Sequence, residues 1–568
     1  MTQTSAPNRR LIAWFIGTTI FTFTVLMHVT FPNLGGTGLR MPHNAAVWMG
    51  FGVMMAIAMW PATRGVIRYS SFHIGLGLLL LAFWLPFLWT WNEASLIALP
   101  RMLGVTAGAI LLLGLAQLQL TQRDWWWLGL AILLGALLET LLSYAQLYWL
   151  EPGNWLGYDV NYQYPYGIFQ QKNVLASFLL TGLAVSAWLI IEAKRTWERG
   201  ITLLAPLFIP AILWFAASVI GWLATAIVIP LILAYLWSQH RNLFKWWAGA
   251  LVIGALLAYL LWNPAEDSLR SAESVARTSG SRWYVLTHSL RMILESPFLG
   301  WGYGRFQHDF LYSFADWRAA QPINQPEIVE PYIWETFSHP HNELLFWGVE
   351  GGLLPMLALL LFGGWVLWRI CAHGAKGKRL MLAALLLPLA LHSMTELPFY
   401  HSQTSWLGFI LLLGLVANRC YQTRNRENRY TFGIRFGSLV ATPVLVIFMA
   451  THLQTLWKVK NHIASQELTS GALSEAINPF GIPWTLEFLI MSQQLNAGAN
   501  LGSDTVINTY LTWATEYKNL LPSPTLYANM AFAEKSLKNW ENFHSTTSVH
   551  QNLFPVHKIH QESANQSQ

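Results

Sequence analysis

The chain has 568 residues, of which 54% are hydrophobic, 14% are aromatic and only 11% are charged. An average soluble domain carries about 25% charged residues, so this chain could not cover a soluble surface and a soluble multidomain enzyme is excluded. The same hydrophobicity excludes a disordered chain, and a count of two cysteines excludes a disulfide-stapled secreted fold. The formal net charge of +6 would indicate a nucleic-acid partner only if the charges clustered on one soluble face, and they do not. A polytopic membrane protein remains.

Thirteen stretches are long and apolar enough for a helix to cross the bilayer, which takes about 20 residues. The pair at 201–237 needs a tight turn within one continuous apolar run, and the span at 380–394 is short. The first stretch lacks a small-residue cleavage site, so we expect a retained anchor and not a signal peptide. The pattern predicts an all-α polytopic fold with spans at about 11–31, 46–61, 70–89, 97–120, 126–147, 173–193, 201–217, 218–237, 246–262, 343–368, 380–394, 404–418 and 436–454.

The distribution of basic residues between short loops predicts the orientation of these spans. With the N-terminus in the cytoplasm, nineteen Lys and Arg residues fall inside, while the short outside loops hold only Arg40 and Lys172. Thirteen spans then place the C-terminus outside. Both Cys371 and Cys420 fall at cytoplasmic helix ends, where thiols stay reduced, so we expect no disulfide.

The spans divide the chain into four segments. Residues 1–262 carry helices 1–9 with short loops, 263–342 form a large outside loop, 343–454 carry helices 10–13, and 455–568 form an outside tail. The tail has apolar residues at helical spacing and is expected to fold as a small helical domain. Because the two long polar segments and a shorter loop at 148–172 all face outside, we expect the chemistry on that face.

A helix is predicted in the long loop, because Trp283, Leu286, Leu290 and Ile293 fall at helical spacing on one face. Pro297 should end this helix near residue 296. An amphipathic helix in this position would lie on the membrane surface.

Three arginines of this loop, Arg282, Arg291 and Arg305, are candidates for binding an anionic group. A guanidinium could snorkel to lipid phosphates, or it could hold a phosphate-bearing lipid-linked substrate by bidentate contact. Arg305 follows alternating glycines in PFLGWGYGRF, residues 297–306, which do not match the pattern of a nucleotide-binding loop.

The sharpest local motif is SHPHNELL, residues 338–345, where the long loop meets the tenth span. His341 or His339 could transfer a proton near neutral pH, and Asn342 could orient a ring or a substrate hydroxyl. Two alternatives stay open. The histidines could bind Zn²⁺ with Glu335 or Glu343, although HExxH is absent, or the pair could only shape the start of the helix.

Two other outside segments could contribute to a polar pocket. YPYGIFQQKN, residues 164–173, carries Gln170 and Gln171 directly ahead of the sixth span. HSMTELPFYHSQ, residues 392–403, carries Glu396 and Tyr400 between spans eleven and twelve. An ionisable group at a span boundary is costly unless it is paired or hydrated, which makes Glu396 a site candidate.

Two charges lie within the predicted spans. Arg101 belongs to the fourth span and Glu139 to the fifth. They could pair with one another as a structural brace, or they could line a substrate cavity.

Together these motifs resemble a known family. The ordered set YGIFQQKN, PFLGWGYGRF, HPHNELL followed by EGG, and ELPFYHS is similar to bacterial protein O-oligosaccharyltransferases of the pilin-glycosylating type, within the O-antigen ligase and polymerase superfamily. The resemblance covers most of residues 150–420. The polar tail fits the protein-glycosylating branch better than the lipid A-core ligases.

The resemblance implies a GT-C-like enzyme of the bacterial inner membrane that transfers a preassembled glycan from undecaprenyl diphosphate to Ser or Thr hydroxyls of periplasmic proteins such as pilin. The outside face would then be the periplasm, and the partners would be the lipid-linked donor, the acceptor protein and membrane lipid, with no nucleic acid. His341 would take the proton of the acceptor hydroxyl, and no cofactor or metal is expected. The other site residues expected are Arg282, Arg291 and Arg305 for the diphosphate, and Gln170, Gln171, His339, Asn342, Glu396 and Tyr400.

One departure from the family pattern concerns the diphosphate. Many superfamily members carry a Ser-Arg pair in the helix that here reads SVIGWLATA, and the arginine position aligns with Val219. An arginine of the long loop would have to substitute for it.

Two rival functions remain open on the sequence. Ligation of glycan to lipid A-core, or O-antigen polymerisation, differs only in the acceptor and would not obviously need the tail. A transporter or lipid flippase should show internal repeats with broken helices and charges at the bilayer midplane. Here no clear repeat is found, and the polar residues cluster at outer helix ends, which favours an enzyme.

Overall fold

The computed structural model describes residues 8–162, 164–261, 272–320, 337–374, 378–465, 470–555 and 557. Parts of the predicted long loop therefore lie outside the described residues, among them Glu335 of the metal alternative. The end of the tail, 558–568, lies outside them too.

The described residues are almost entirely helical. In the first half the helices are α1 Arg9–Thr24, α2 Pro42–Met59, α3 Ser71–Trp84, α4 Phe87–Thr90, α5 Ser95–Leu118, α6 Gln122–Tyr148, α7 Lys172–Glu192, α8 Thr196–Phe215, α9 Val219–Gln239, α10 Arg241–Leu261 and α11 Ala272–Glu295. In the second half they are α12 Phe306–Ala319, α13 Glu343–Gly351, α14 Leu353–His373, α15 Arg379–His392, α16 Pro398–His401, α17 Gln403–Cys420, α18 Thr431–Phe436, α19 Thr442–Ser465, α20 Pro483–Leu501, α21 Asp504–Tyr517, α22 Pro524–Ser536 and α23 Trp540–Leu553. Two short strands, β1 Val66–Tyr69 and β2 Arg424–Glu427, form one antiparallel pair.

Eleven helical segments among the described residues are long and apolar enough to cross a bilayer. They coincide with eleven of the thirteen predicted spans. The other two predictions correspond to α15, which has only 14 residues, and to α17. The all-α polytopic class is confirmed.

The centre of the helical body is α7, which is buried along almost its whole length. It packs against α6, α8, α9 and α15. Small residues allow this approach, since a Cβ on Gly182 would lie 2.5 Å from Cβ of Ala136. The packing of α7 therefore fixes its N-terminal end, where Gln171 and Asn173 lie.

The predicted tenth span, 343–368, is wrong as a single helix, because it divides into α13 and α14 at Gly352. Gly352 has φ +78°, and a Cβ there would lie 2.8 Å from the carbonyl oxygens of Pro297 and Phe298. The next amide, Leu353 N, donates to Pro297 O at 2.7 Å. The long loop therefore packs into the break between the two helices.

The helix predicted in the long loop is present as α11 and ends at Glu295, before Pro297. Its predicted apolar face is wrong in detail, since Trp283 is 65% exposed, Leu290 is 49% exposed, and only Ile293 of the four predicted residues is buried. The buried side chains Val285, Met292 and Ile293 pack with α12 and α13. The sequence pattern could not reveal that this helix has apolar residues both on its packed face and on its outer face.

The tail forms four helices, α20–α23, each packed against the next, and α20–α22 share a core of Leu495, Tyr510, Leu526 and Met530. They also contact the long loop, because Tyr527 shares a hydrogen bond with Tyr312 of α12 (2.5 Å between the hydroxyl oxygens). The tail is thus joined to the loop that leads towards the candidate site.

Candidate active site

The carboxylate of Glu396 is the centre of a polar cluster between α15 and α16. Its Oε1 accepts hydrogen bonds from Asn173 Nδ2 (2.8 Å) and Arg282 Nη2 (2.8 Å), and its Oε2 accepts one from Gln171 Nε2 (2.5 Å). His392 Nε2 lies 3.3 Å from Oε2. Burial alone would raise the pKa of Glu396, but the hydrogen bond with His392 and the charge of Arg282 hold that pKa well below its ordinary value. The carboxylate is therefore ionised.

The segment that contains His341 is attached directly to the loop that carries Glu396. Asn342 caps α13 by accepting from Leu345 N (3.0 Å), and its Nδ2 donates to Met394 O (2.9 Å). Glu343 N donates to Ser393 O at 2.9 Å. The hydrogen bond from Asn342 to Met394 therefore fixes the backbone of His341 relative to the loop of Glu396.

His341 adopts an uncommon backbone conformation, with φ +54°. Its amide donates to Nδ1 of His339 at 3.1 Å, and the two rings lie 4.4 Å apart between centroids. Its own Nδ1 is buried and has no hydrogen-bond partner among the described residues. Burial lowers the pKa of His341 to about 4, with Glu396 acting to raise it and Arg282 to lower it. Burial and the neighbouring His341 lower the pKa of His339 to about 3.

The two predicted glutamines have different environments. Gln171 caps α7 by accepting from Val174 N (2.8 Å) while it donates to Glu396. Gln170 has φ +54°, and its Oε1 faces Gly35, where a Cβ would lie 3.7 Å away. Gln171 is thus a member of the Glu396 cluster, whereas the side chain of Gln170 faces Gly35.

Asn173, which ends the polar segment at residues 164–173, and Ser218, which was not predicted as a site residue, also belong to the cluster. Ser218 caps α9 and donates to Asn173 Oδ1 at 2.7 Å, and Asn173 in turn donates to Glu396. Ser218 immediately precedes Val219, which is 55% exposed. The signals were present, because Asn173 follows the two glutamines and Ser218 is the serine of the Ser-Arg position.

The three predicted arginines lie in different places. Arg282 contacts Glu396, and its side chain is 32% exposed. Arg291 is exposed and stacks over Trp317, with its guanidinium carbon 5.1 Å from the ring centroid. Arg305 pairs with Asp309, with Nε–Oδ2 at 2.9 Å and Nη2–Oδ1 at 2.5 Å. Of the three, only Arg282 is in the Glu396 cluster.

Tyr400 is half-buried and packs with Leu397 and the aromatic side chains around α12 and α13. Burial raises the pKa of its hydroxyl, and the charges that act on it are those of Arg101, Glu350 and Glu343. It therefore packs on the α13 side of the site.

Of the two alternatives for Arg101 and Glu139, the pairing with one another is wrong. Arg101 forms a buried ion pair with Glu350 of α13, and its guanidinium lies over the rings of Phe346 (4.1 Å) and Trp347 (4.4 Å). The carboxylate of Glu139 accepts a hydrogen bond from Ile168 N (2.9 Å) and lies 3.2 Å from His28 Nε2. Arg101 and Glu139 each have partners of their own, and neither is hydrogen-bonded to Glu396.

The alternating glycines of residues 297–306 allow close backbone packing. All three have positive φ, and a Cβ on Gly304 would lie 1.8 Å from Ala94 O. A Cβ on Gly300 would lie 2.4 Å from Glu350 O. The turn therefore joins α5 and α13 beside the Arg101–Glu350 pair, which explains the glycines without a nucleotide.

Three family models match separate parts of the chain. Residues 165–190 match a model described as "Protein glycosylation ligase", residues 205–362 match "O-Antigen ligase", and residues 380–568 match "Virulence factor membrane-bound polymerase, C-terminal". These matches support the O-antigen ligase and polymerase superfamily. None of the curated proteins matches the chain.

Each matched segment of this superfamily contributes to the same cluster. The first supplies Gln171 and Asn173, the second supplies Arg282 and His341, and the third supplies Glu396. A glycan-transfer ligase activity is supported by these families, and the segments that define them meet at one group of side chains.

The arrangement attaches the segment of His341, whose imidazole is neutral, to the loop of Glu396, and the carboxylate of Glu396 holds the guanidinium of Arg282. The imidazole can accept a proton, and the exposed part of the guanidinium can bind an oxyanion. Among the described residues no group of three or more His, Cys, Asp or Glu side chains is suited to hold a metal ion.

Proposed function

We propose that this protein transfers a preassembled glycan en bloc from undecaprenyl diphosphate to Ser or Thr hydroxyls of periplasmic proteins such as pilin. The acceptor oxygen attacks the anomeric carbon of the glycan, the bond from that carbon to the diphosphate oxygen breaks, and the diphosphate leaves. The observation that carries the proposal is the His341–Arg282–Glu396 arrangement, which comes from two of the matched segments, while the third supplies Gln171 and Asn173.

His341 is the proposed general base. Its ring is neutral at pH 7 because burial lowers its pKa to about 4, so it can accept the proton of the acceptor hydroxyl. An anionic diphosphate nearby would raise that pKa and strengthen the base when the donor is bound. His339 would orient the segment through its contact with the amide of His341.

Arg282 is the proposed diphosphate-binding residue. Glu396 orients its guanidinium by accepting from Nη2, and the side chain is exposed enough to contact a substrate. Arg282 lies in the same cluster as Asn173 and Ser218, and Ser218 comes directly before the position where the family has an arginine and this chain has Val219. Arg282 could therefore take the place of that arginine. Positive charge at the leaving oxygen stabilises the transition state without a nucleotide cofactor.

A second candidate is ligation of the glycan to lipid A-core, or polymerisation of O-antigen. The matches to the O-antigen ligase and polymerase models favour it, and the same cluster could serve a sugar acceptor. The match at 165–190 to the protein glycosylation ligase favours a protein acceptor, because that segment contains Gln171 and Asn173 of the cluster.

Localisation follows from the proposed reaction and the basic-residue pattern. The chain would be a multi-pass protein of the bacterial inner membrane, with its N-terminus in the cytoplasm and its C-terminus and Glu396 cluster in the periplasm.

The test incubates the purified full chain with lipid-linked glycan and a periplasmic protein extract, with lipid A-core in a parallel reaction. Mass spectrometry then identifies the species that gains the glycan. Gain of one glycan mass on a Ser or Thr of a protein is the expected result. Gain only on lipid A-core would replace the proposal with the ligase function, and labelled-solute uptake into proteoliposomes without glycan transfer would indicate a transporter.

A further inference from the structure

The pair of strands β1 and β2 lies at the end of the helical body opposite the Glu396 cluster. At the cluster end, α2 begins beside the loop of His401, since Asn44 Nδ2 donates to His401 O (2.8 Å). At its other end, α2 leads through a short 3₁₀ turn into β1. Its 18 residues separate the two ends by about 27 Å, close to the thickness of the bilayer core.

Two buried side chains fix these strands to the helices. Gln117 of α5 donates to Arg68 O (2.7 Å) and accepts from Arg68 N (2.8 Å). Asn428 donates from its backbone N to Gly65 O (2.8 Å) and from its side-chain Nδ2 to Ala62 O (2.9 Å). The strands are therefore a built part of the fold at the boundary of the membrane-spanning helices.

We name the four exposed arginines at this boundary the basic ribbon: Arg64, Arg424, Arg426 and Arg435. None of them has an acidic partner among the described residues. Arg424 and Arg426 are two residues apart on one strand and so point to the same face, about 7 Å apart.

Other basic residues of the same end are paired with acids. Arg9 Nη1 lies 2.9 Å from Asp124 Oδ2, and Arg123 Nη2 lies 2.6 Å from Glu198 Oε1. The basic ribbon differs from these because none of its four guanidinium groups forms an ion pair with a carboxylate among the described residues.

Aromatic side chains flank the basic ribbon at the start of the last spanning segment, Thr431–Ser465. Tyr430 is 81% exposed, Phe432 is 80% exposed and Phe436 is 58% exposed. Exposed aromatic rings at a span end are typical of the level of lipid headgroups.

We propose that the basic ribbon binds the headgroups of anionic phospholipids in the leaflet opposite the Glu396 cluster. The guanidinium groups bind the headgroup phosphates by bidentate hydrogen bonds, and Tyr430, Phe432 and Phe436 contact the glycerol and upper acyl region. The place of the ribbon at the span ends favours lipid over a soluble polyanion. This proposal does not depend on the glycan-transfer function.

The test measures binding of acyl-labelled phosphatidylglycerol to the purified full chain in neutral detergent, by fluorescence polarisation. The variant Arg424→Gln/Arg426→Gln/Arg435→Gln removes three charges of the ribbon. Because each basic residue near an anionic headgroup contributes about fivefold in affinity, we expect a loss of roughly 100-fold. The control Lys194→Gln/Arg199→Gln/Lys245→Gln removes three exposed charges elsewhere at that end and should change affinity less than threefold.

Labelled phosphatidylethanolamine should bind much more weakly than phosphatidylglycerol. Equal losses in the two triple variants would show unspecific attraction and overturn the proposal, as would an unchanged affinity in the ribbon variant. If the ribbon variant fails to fold, the single variant Arg426→Gln decides, with about a fivefold loss expected. Competition by a soluble polyanion but not by unlabelled phosphatidylglycerol would assign the ribbon to another partner.

Discussion

At the scale of single residues, His341 combines three unusual properties at one position. It has a positive φ, a buried Nδ1 without a partner among the described residues, and a lowered pKa. Uncommon backbone conformations persist only where the surroundings hold them, and here the Asn342 cap and the amide contact with His339 do so. The strain therefore accompanies a fixed position for the imidazole.

The first prediction concerns pH. A base must be neutral, so activity is present above the pKa of His341 and is lost as pH falls through it. We expect kcat/KM for transfer to stay level from about pH 8 to pH 5 and to fall with a midpoint near 4, because burial lowers this pKa to about 4. The measurement is the pH profile of glycan transfer at subsaturating donor.

A control is needed for Glu343, because burial raises the pKa of its carboxyl to about 7. The variant Glu343→Gln should keep the inflection near pH 4. An inflection near 6.5, the ordinary value for histidine, that persists in Glu343→Gln would contradict the assignment of the base.

The second prediction compares two arginines of α11. Arg282→Gln should lower kcat/KM at least 100-fold, since it removes the guanidinium at Glu396 and leaves that carboxylate without its cation. Arg291→Gln is the matched control, because Arg291 is exposed and contacts Trp317. The measurement is the initial rate of transfer to an acceptor protein, and equal activity in both variants would remove Arg282 from the diphosphate site.

At the residue scale the sequence identified the motifs better than their contacts. His341, Glu396, Gln171 and Arg282 were predictable as site candidates. Glu396 lies at a span boundary, where an ionisable group is costly unless it is paired or hydrated, and the resemblance to the family indicated the other three. The hydrogen bonds that Gln171 and Arg282 donate to Glu396 were not predictable, since they join positions far apart in the chain. The contact of Ser218 with the cluster was not predictable for the same reason, because it depends on the packing of α7 against α9.

At the scale of elements, the break between α13 and α14 determines the architecture around the site. The carbonyl groups of Pro297 and Phe298 lie against Gly352, while Trp301 N donates to Val349 O (2.8 Å). The loop and α13 thus form one packed unit that carries Asn342 at its start. The hydropathy of residues 343–368 predicted one continuous span, because a periodic signal does not register a single glycine with positive φ.

The third prediction tests that unit through Gly304. Gly304→Ala puts a Cβ into Ala94 O at a residue with φ +81°, so we expect a loss of at least 2 kcal/mol in stability, about the cost of backbone strain with a clash. Glycan transfer should decrease with it, because α13 shifts relative to α5. The measurements are the thermal unfolding midpoint and the transfer rate.

The control for Gly304 is Gly363→Ala in α14, where a Cβ would meet nothing within 4 Å. This variant should keep both the midpoint and the rate. Equal behaviour of the two variants would show that the turn tolerates a side chain and that its packing does not position α13.

At the scale of the whole molecule, the tail and the transmembrane body meet through the long loop. Tyr527 contacts Tyr312, and Leu553 and Phe554 pack against Ala315 of α12. Helix α12 also packs against α11, which carries Arg282, and against α13, which follows His341. The tail is therefore connected to both of these helices through α12. The helical class and the tail helices were predictable from hydropathy and spacing, but this contact was not.

The fourth prediction concerns the tail. A chain ended after Ser465 lacks α20–α23 and should form no glycoprotein, since the support that the tail gives to α12 is removed. A chain ended after residue 557 is the control and should retain wild-type transfer. Wild-type protein glycosylation by the shorter chain would contradict the role of the tail, and continued transfer to lipid A-core alone would favour the ligase function.

The most direct measurement is the rate of glycan transfer by His341→Ala, compared with the wild type in proteoliposomes of equal protein content. General-base catalysis contributes typically 10²–10⁴-fold, so we predict a loss of at least 100-fold, with unchanged membrane insertion and unfolding midpoint. Transfer by the His341→Ala protein at the wild-type rate would contradict the account.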